Sequence, residues 1–134
     1  MPHCRTLVVD DVEDIRRLLC STLEQMPQCE VVGEASDGLQ AVRQAETLQP
    51  DLILLDLGLP NLNGIEAASR IRRLSPNSKI LFVTENSDRE IAQGALRTGA
   101  NGYLLKSDAK DLPCAIETVL QGAVFVSSRV KERP

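Results

Sequence analysis

The sequence predicts a (βα)5 doubly wound α/β sandwich built on a parallel five-stranded sheet. Five short runs rich in Val, Ile and Leu alternate with five stretches in which apolar residues recur every three or four positions. The run DLILLD, from Asp51 to Asp56, is continuously apolar between its acids, as expected of a strand covered on both faces. The chain's 134 residues, 43% hydrophobic and 25% charged, suffice for one core and one domain. Strands that run parallel need long crossovers, and the intervening helices supply them.

The first strand is expected at 6–9 (TLVV), leading into a helix with Val12, Ile15, Leu18, Leu19 and Leu23 at its apolar positions. Helical periodicity alone does not divide Leu18, Leu19 and Cys20 between core and surface. The second strand falls at 30–35 (EVVGEA). Ser36-Asp37-Gly38 offers a turn and cap for a second helix carrying Leu39, Val42, Ala45 and Leu48, which Gln49-Pro50 closes. After the third strand at 51–56, Asn61-Leu62-Asn63-Gly64 opens a helix with Ile65, Ala68, Ile71 and Leu74, ended by Pro76-Asn77. The fourth strand (79–83, KILFV) precedes a helix with Ile91, Ala95 and Leu96. The fifth (101–105, NGYLL) precedes one with Leu112, Ala115, Ile116, Val119 and Leu120. Ser107-Asp108 is expected to cap this last helix, and Pro113 is tolerated only in its first turns. From about Gly122 apolar residues give way to charge, a tail too short for a second domain.

Composition excludes several classes. With 15 basic against 19 acidic residues the net charge is -4, so no positive field exists to grip a nucleic acid backbone. Four cysteines without a CxxC pair, and the single histidine His3, do not assemble a zinc site; they read as reduced thiols, with Cys20 and Cys114 expected in or near the core. No apolar run approaches the roughly 20 residues that span a bilayer, and the start is too short and polar for a secretory segment, so the expected location is the cytoplasm with no membrane contact. No GxGxxG or GxxxxGK[ST] follows the first strand and no GxSxG elbow occurs, which argues against nucleotide binding and serine hydrolysis.

In open parallel sheets of this kind ligands bind at the carboxyl ends of the strands, beside the point where strand order reverses. The residues at those ends are Asp10 and Asp11, Asp56, Thr84 and Lys106. Three carboxylates gathered together repel one another unless a cation joins them. An all-oxygen set favours magnesium. Glu13 reads as a first-turn acid favoured by the helix dipole, at most touching a metal-bound water.

Leu7-Val8-Val9-Asp10-Asp11, Asp56-Leu57-Gly58-Leu59-Pro60 with Gly64, Val83-Thr84 and Gly102-Tyr103-Leu104-Leu105-Lys106 together resemble the receiver domain of bacterial two-component response regulators. The match covers roughly residues 4–122. Single motifs of this kind are weak, but here they arrive in order at the right strand ends. The resemblance implies a flavodoxin-like sheet of order 2-1-3-4-5. It implies that Asp56 accepts a phosphoryl group from a sensor histidine kinase or a histidine phosphotransfer domain. It further implies Mg2+ held by Asp10, Asp11, Asp56 and the Gly58 carbonyl, with Thr84 and Lys106 contacting the phosphoryl oxygens. Tyr103 matches an aromatic switch residue that moves inward, while Pro60 and Gly64 match loop-shaping positions. The output face would be the fourth helix, fifth strand and fifth helix. Such a protein phosphorylates itself from a donor and slowly loses the group, without turning over external substrates.

Two positions depart from the family pattern. Glu85 stands after Thr84 where a small residue is usual, followed by Asn86, so the decay of the phosphorylated state is expected to be atypical. Gly58 leaves the position two past Asp56 without a side chain to shape access. Residues 119–127 are similar to the junction in the subfamily whose receiver precedes a LuxR-type helix-turn-helix domain, so 123–134 is expected to begin a linker toward an output domain outside this chain. A stand-alone receiver working through protein contacts, a magnesium-dependent phosphohydrolase and a non-phosphorylated pseudo-receiver are the alternatives. The hydrolase lacks its second aspartate, because that position is Gly58. Phosphorylation-dependent dimerisation is a further expectation of the subfamily.

Overall fold

A computed structural model describes residues 3–130. In chain order its elements are β1 (Cys4–Val9), α1 (Glu13–Glu24), β2 (Cys29–Ala35), α2 (Gly38–Leu48), β3 (Leu52–Leu55), α3 (Gly64–Leu74), β4 (Lys79–Thr84), α4 (Arg89–Leu96), β5 (Gly102–Leu105), a 3-10 turn (Lys106–Asp111), α5 (Leu112–Leu120) and β6 (Phe125–Val126). The strands form one parallel sheet of order β2-β1-β3-β4-β5-β6. The predicted five strands and their order stand, and the sheet gains a sixth. Its two residues lie inside the stretch read as a linker, where Gly102 pairs with Phe125 and Tyr103 with Val126. Residues 131–134 of that stretch lie outside the described residues.

Alternation along the strands divides the core into two layers, because successive side chains point to opposite faces. Leu7, Val9, Ile53, Leu55, Ile80, Phe82 and Tyr103 pack toward α2, α3 and α4, against Ala41, Ala45, Ala67, Ala68, Ile71, Ala92 and Ala95. Val8, Leu52, Leu54, Leu81, Val83 and Leu104 pack toward α1 and α5, against Leu19, Leu23, Leu112, Ala115, Ile116 and Val119. Every residue of β3 is buried, as its unbroken apolar run predicts. Small alanines on α2, α3 and α4 let those helices lie close to the bulky strand residues.

The helix ends follow the predicted signals with one exception. Asp37 caps α2 by accepting from the Gln40 N–H, and Asn63 caps α3 by accepting from Glu66. Gln49 takes the left-handed conformation that stops α2. The expected Ser107-Asp108 cap is not made: both residues belong to the 3-10 turn, and α5 starts at Leu112 with Pro113 in its first turn, where the missing N–H costs nothing. On α1, Leu19 is buried while Leu18 is exposed and Cys20 intermediate, and Val12 precedes the helix and is also exposed. The cysteines differ from expectation as well, since Cys114 is exposed and Cys4 is the buried one; none of the four is in a disulfide. Periodicity placed Cys114 among apolar neighbours, but its position on α5 points away from the sheet.

Candidate functional site

Sheet order reverses between β1 and β3, and the carboxyl ends of β1, β3, β4 and β5 therefore open onto one cleft. Asp10 directly follows β1 and is fully buried. Its backbone N–H continues the β1–β2 ladder to the Ala35 carbonyl, and its Oδ1 accepts from the Val12 N–H at 2.9 Å. Asp56 follows β3, with its N–H on the Val9 carbonyl and its Oδ1 accepting from the Leu57 N–H at 2.8 Å. Both carboxylates are thus fixed by backbone amides at one oxygen; the other oxygen of each is left to Lys106, and Asp56 lines the cleft.

The Lys106 ammonium reaches both free oxygens, at 2.9 Å from Asp10 Oδ2 and 3.3 Å from Asp56 Oδ2. The contact with Asp10 is an ion pair without good hydrogen-bond geometry, so Asp10 Oδ2 is a buried oxygen with no hydrogen bond among the described residues. Burial is the strongest influence on Asp56 and pushes its carboxyl above the ordinary value; the Lys106 charge opposes this and Asp10 adds to it. Burial also weighs most on Lys106 and would lower it, but the close carboxylates of Asp10 and Asp56 outweigh it and hold the ammonium above its usual range.

One ammonium shared between two buried carboxylates, with exposed Asp11 beside them, leaves the cluster short of positive charge. Ligand oxygens of Asp10, Asp11 and Asp56 lie within 4.8 Å of one another. Together with Asp10 Oδ2, buried without a hydrogen bond among the described residues, this all-oxygen set fits a hard divalent cation that retains part of its water shell.

The cleft, of about 870 Å3, is lined by Asp56, Gly58, Thr84, Glu85, Asn86 and Lys106, and an apolar rim of Val12, Ile15, Ile65 and Ile91 surrounds it. Thr84 is buried at the end of β4, and its hydroxyl oxygen accepts from the Asn86 N–H at 3.2 Å. Glu85 and Asn86 are exposed at the mouth, as is Gly58, where an added Cβ would meet nothing within 4 Å. Gly64 lies behind the site, so close that a Cβ would overlap the Asp56 carbonyl. Pro60 stands off the cleft and turns its carbonyl to the N–H groups of Gly38 and Leu62. Glu13 points elsewhere, pairing with Arg17 at 2.7 Å.

Tyr103 is fully buried, already inside the fold, with its hydroxyl donating to the Asn86 carbonyl at 2.6 Å and its ring beside Phe82. Burial, followed by the nearby Asp88 and Asp56 charges, pushes its phenol up to about 12. It is the only tyrosine in a chain without tryptophan, so absorbance at long wavelength reports on it alone. Tyrosinate is expected to form only near pH 12 in the folded protein. Because the folded phenol holds its proton more tightly than the unfolded one, stability is unaffected below pH 10 and falls as pH rises from 10 to 12. A tyrosinate titration with its midpoint near 10 in folded protein would contradict this placement.

Sequence reasoning missed Arg16. Its Nη1 donates to the Asp10 carbonyl at 2.7 Å while its Nε pairs with Glu34 at 3.1 Å, so it braces the end of β1 from α1. In the sequence it reads as an ordinary basic residue on a helix, because the acceptor is a backbone carbonyl that no side-chain pattern announces.

Residues 6–117 match the family model of the response regulator receiver domain. The chain belongs to the response regulator receiver family. The receiver is 40% identical over 127 residues to the transcriptional regulatory protein LiaR of Bacillus subtilis (strain 168), a match covering 94% of this chain and 60% of LiaR. Its identity to the nitrate/nitrite response regulator protein NarL of Escherichia coli (strain K12) is 38% over 122 residues, covering 90% of this chain and 56% of NarL. The receiver thus spans about three-fifths of the length of these relatives. A crystal structure of a LuxR-family two-component response regulator from Aurantimonas sp. SI85-9A1 superimposes with a TM-score of 0.91 at 35% identity, covering 96% of this chain and 92% of that one. Among the described residues no helix is long and apolar enough to cross a membrane.

Proposed function

We propose that Asp56 is the phosphoacceptor, taking a phosphoryl group from the phosphohistidine of a sensor histidine kinase or a histidine phosphotransfer domain. The observation that carries this reading is the Asp56 carboxylate itself, held by the Leu57 N–H at one oxygen and facing Lys106 at 3.3 Å with the other, inside an open cleft. A carboxylate oxygen of Asp56 forms the new O–P bond as the P–N bond to the donor imidazole breaks, and the electron pair leaves on that nitrogen. Asp10, Asp11, Asp56 and the Gly58 carbonyl are the residues that would hold Mg2+, which when bound offsets negative charge on the phosphoryl oxygens. Lys106 turns its ammonium to the same oxygens, and the Thr84 hydroxyl donates to one of them in place of its present contact with Asn86. Tyr103 then follows the loop that Thr84 pulls.

The same cleft admits water, so the acyl phosphate decays on its own, and Glu85 and Asn86 at the mouth set the rate. The signal leaves through α4, β5 and α5. In a longer parent carrying a LuxR-type DNA-binding domain, working in the cytoplasm, it would control transcription, with phosphorylation favouring a dimer. The receiver itself makes no nucleic acid contact, and residues 123–134 would begin the linker.

Intact mass spectrometry after incubation with Mg2+ and acetyl phosphate tests the assignment. A gain of about 80 Da is expected, absent in Asp56→Asn and fading with time. Multiple turnover of an external phosphoester would favour a phosphohydrolase, and no adduct from any donor, kinase included, would leave a pseudo-receiver. In the same assay Glu85→Ala is expected to lose the adduct at a different rate; equal decay removes Glu85 from the account.

A further inference from the structure

The residues after α5 are tied to the site from behind. Gly122, at a φ of 91°, turns the chain back, and β6 adds to the free edge of β5. The Phe125 N–H bonds the Asn101 carbonyl at 3.1 Å and the Ser127 N–H bonds the Tyr103 carbonyl at 2.9 Å. The buried Ser127 hydroxyl then accepts from the Leu105 N–H at 2.9 Å. Leu105 directly precedes Lys106. Two residues beyond Lys106, the buried carboxylate of Asp108 pairs with Arg129 Nε at 3.4 Å. The segment that carries the site lysine is therefore gripped on both sides by residues 127 and 129.

The same stretch also holds α4, the element that follows Thr84. A turn closed by the Val130 N–H on the Ser127 carbonyl brings Val130 back into the core layer that contains Ala92 and Ala95. A cleft of about 360 Å3 remains between α4 and the strap, lined by Ala92, Leu96, Val126 and Val130 among others. Residues 125–130 thus bridge the two backbone segments bearing Thr84 and Lys106.

We infer that residues 125–130 form a strap that is docked while Asp56 is unmodified and is loosened by phosphorylation. The inference rests on the assignment of Asp56 as phosphoacceptor. A phosphoryl group brings a charge change of about -1.5 to -2 to a site where Lys106 is shared between Asp10 and Asp56. As Lys106 and Thr84 turn to the new oxygens, the Leu105 N–H and the Asp108 carboxylate move with the first, and α4 moves with the second. The strap is bonded to the first segment and packed against the second, and cannot keep its geometry to each. Its release would make the strap the link between the site and whatever the chain leads to. By reciprocity, anything that loosens the strap favours occupancy of the site.

Hydrogen exchange read by mass spectrometry on the full chain, with Mg2+ and with or without beryllofluoride as phosphoryl mimic, tests this. Beryllofluoride is expected to speed exchange of the 125–130 amides at least about tenfold. Arg129→Gln, an exposed change outside the site, and Ser127→Ala are expected to speed it without the mimic and to tighten beryllofluoride binding, on the order of fivefold at the low end of ordinary couplings. Binding of the mimic is followed independently through the single tyrosine's fluorescence. Unchanged exchange at 125–130 in protein that binds the mimic overturns the strap and leaves the phosphoacceptor assignment standing. No binding in the parent, with no mass adduct at Asp56, overturns the assignment and the strap with it. Equal mimic affinity in Arg129→Gln and the parent, with exchange already raised, rejects the coupling.

Discussion

Lys106→Met is expected to lower the unfolding free energy by about 3–5 kcal/mol in metal-free buffer at neutral pH, the range for stripping one partner from a buried ion pair. Lys106 is only 14% exposed and is the cation facing both Asp10 and Asp56. Without it two buried carboxylates confront each other, and the fold must strain or take up a proton. The deficit therefore depends on pH. Asp56 is already raised above the ordinary carboxylate range by burial, and losing Lys106 raises it further. A carboxyl so raised supports the fold below its unfolded value, and that support is lost as pH rises through the folded one. The variant should stand nearest the parent in acid and fall behind toward pH 7. Adding Mg2+ should restore part of the loss, and the double variant with Asp56→Asn should restore more. Urea unfolding at several pH values measures each of these. A variant as stable as the parent in the presence of chelator would show that the triad carries little of the fold's energy.

Gly64→Ala is expected to cost about 1–3 kcal/mol or more and to slow phosphorylation on the order of a hundredfold, the scale of a misplaced reacting group. On helix propensity alone the change should help, by roughly 1 kcal/mol. Packing decides otherwise. The new Cβ would overlap the Asp56 carbonyl and lie within 3 Å of the Leu57 Cα, and these are backbone atoms with no side chain to swing aside. Moving Leu57 also moves the N–H that holds Asp56 Oδ1. Gly58→Ala is the control: open space surrounds it, so stability should stay within about 0.5 kcal/mol of the parent. Thermal melts and adduct formation by mass spectrometry compare the two. Similar losses in both variants, or none in Gly64→Ala, would refute the packing argument.

The contrast between these glycines shows where sequence reasoning stopped. Both stand near Asp56 in the chain, and both were singled out by the family pattern. One borders solvent and the other borders the backbone of Asp56, a distinction made by how α3 returns against the end of β3. Tyr103 is a similar case. Its place three residues before Lys106 marked it as a switch, but its buried position and its bond to the Asn86 carbonyl depend on the loop after β4. The capping prediction at Ser107-Asp108 failed because Asp108 has a distant partner, Arg129, that local rules do not weigh.

What the sequence determined by itself is the five-fold alternation of strand and helix, the two-sided burial of β3 and the set Asp10, Asp11, Asp56, Thr84 and Lys106. These follow from periodicity and from chain position at strand ends, which are local properties carried by runs of several residues. Tertiary structure alone decided the sixth strand, the bracing of Asp10 by Arg16 and the grip of Ser127 and Arg129 on the segment around Lys106. A two-residue strand has no period to read. It exists because β5 presents a free edge of N–H and C=O groups that the returning chain can satisfy, and that edge is created only when the sheet has been assembled.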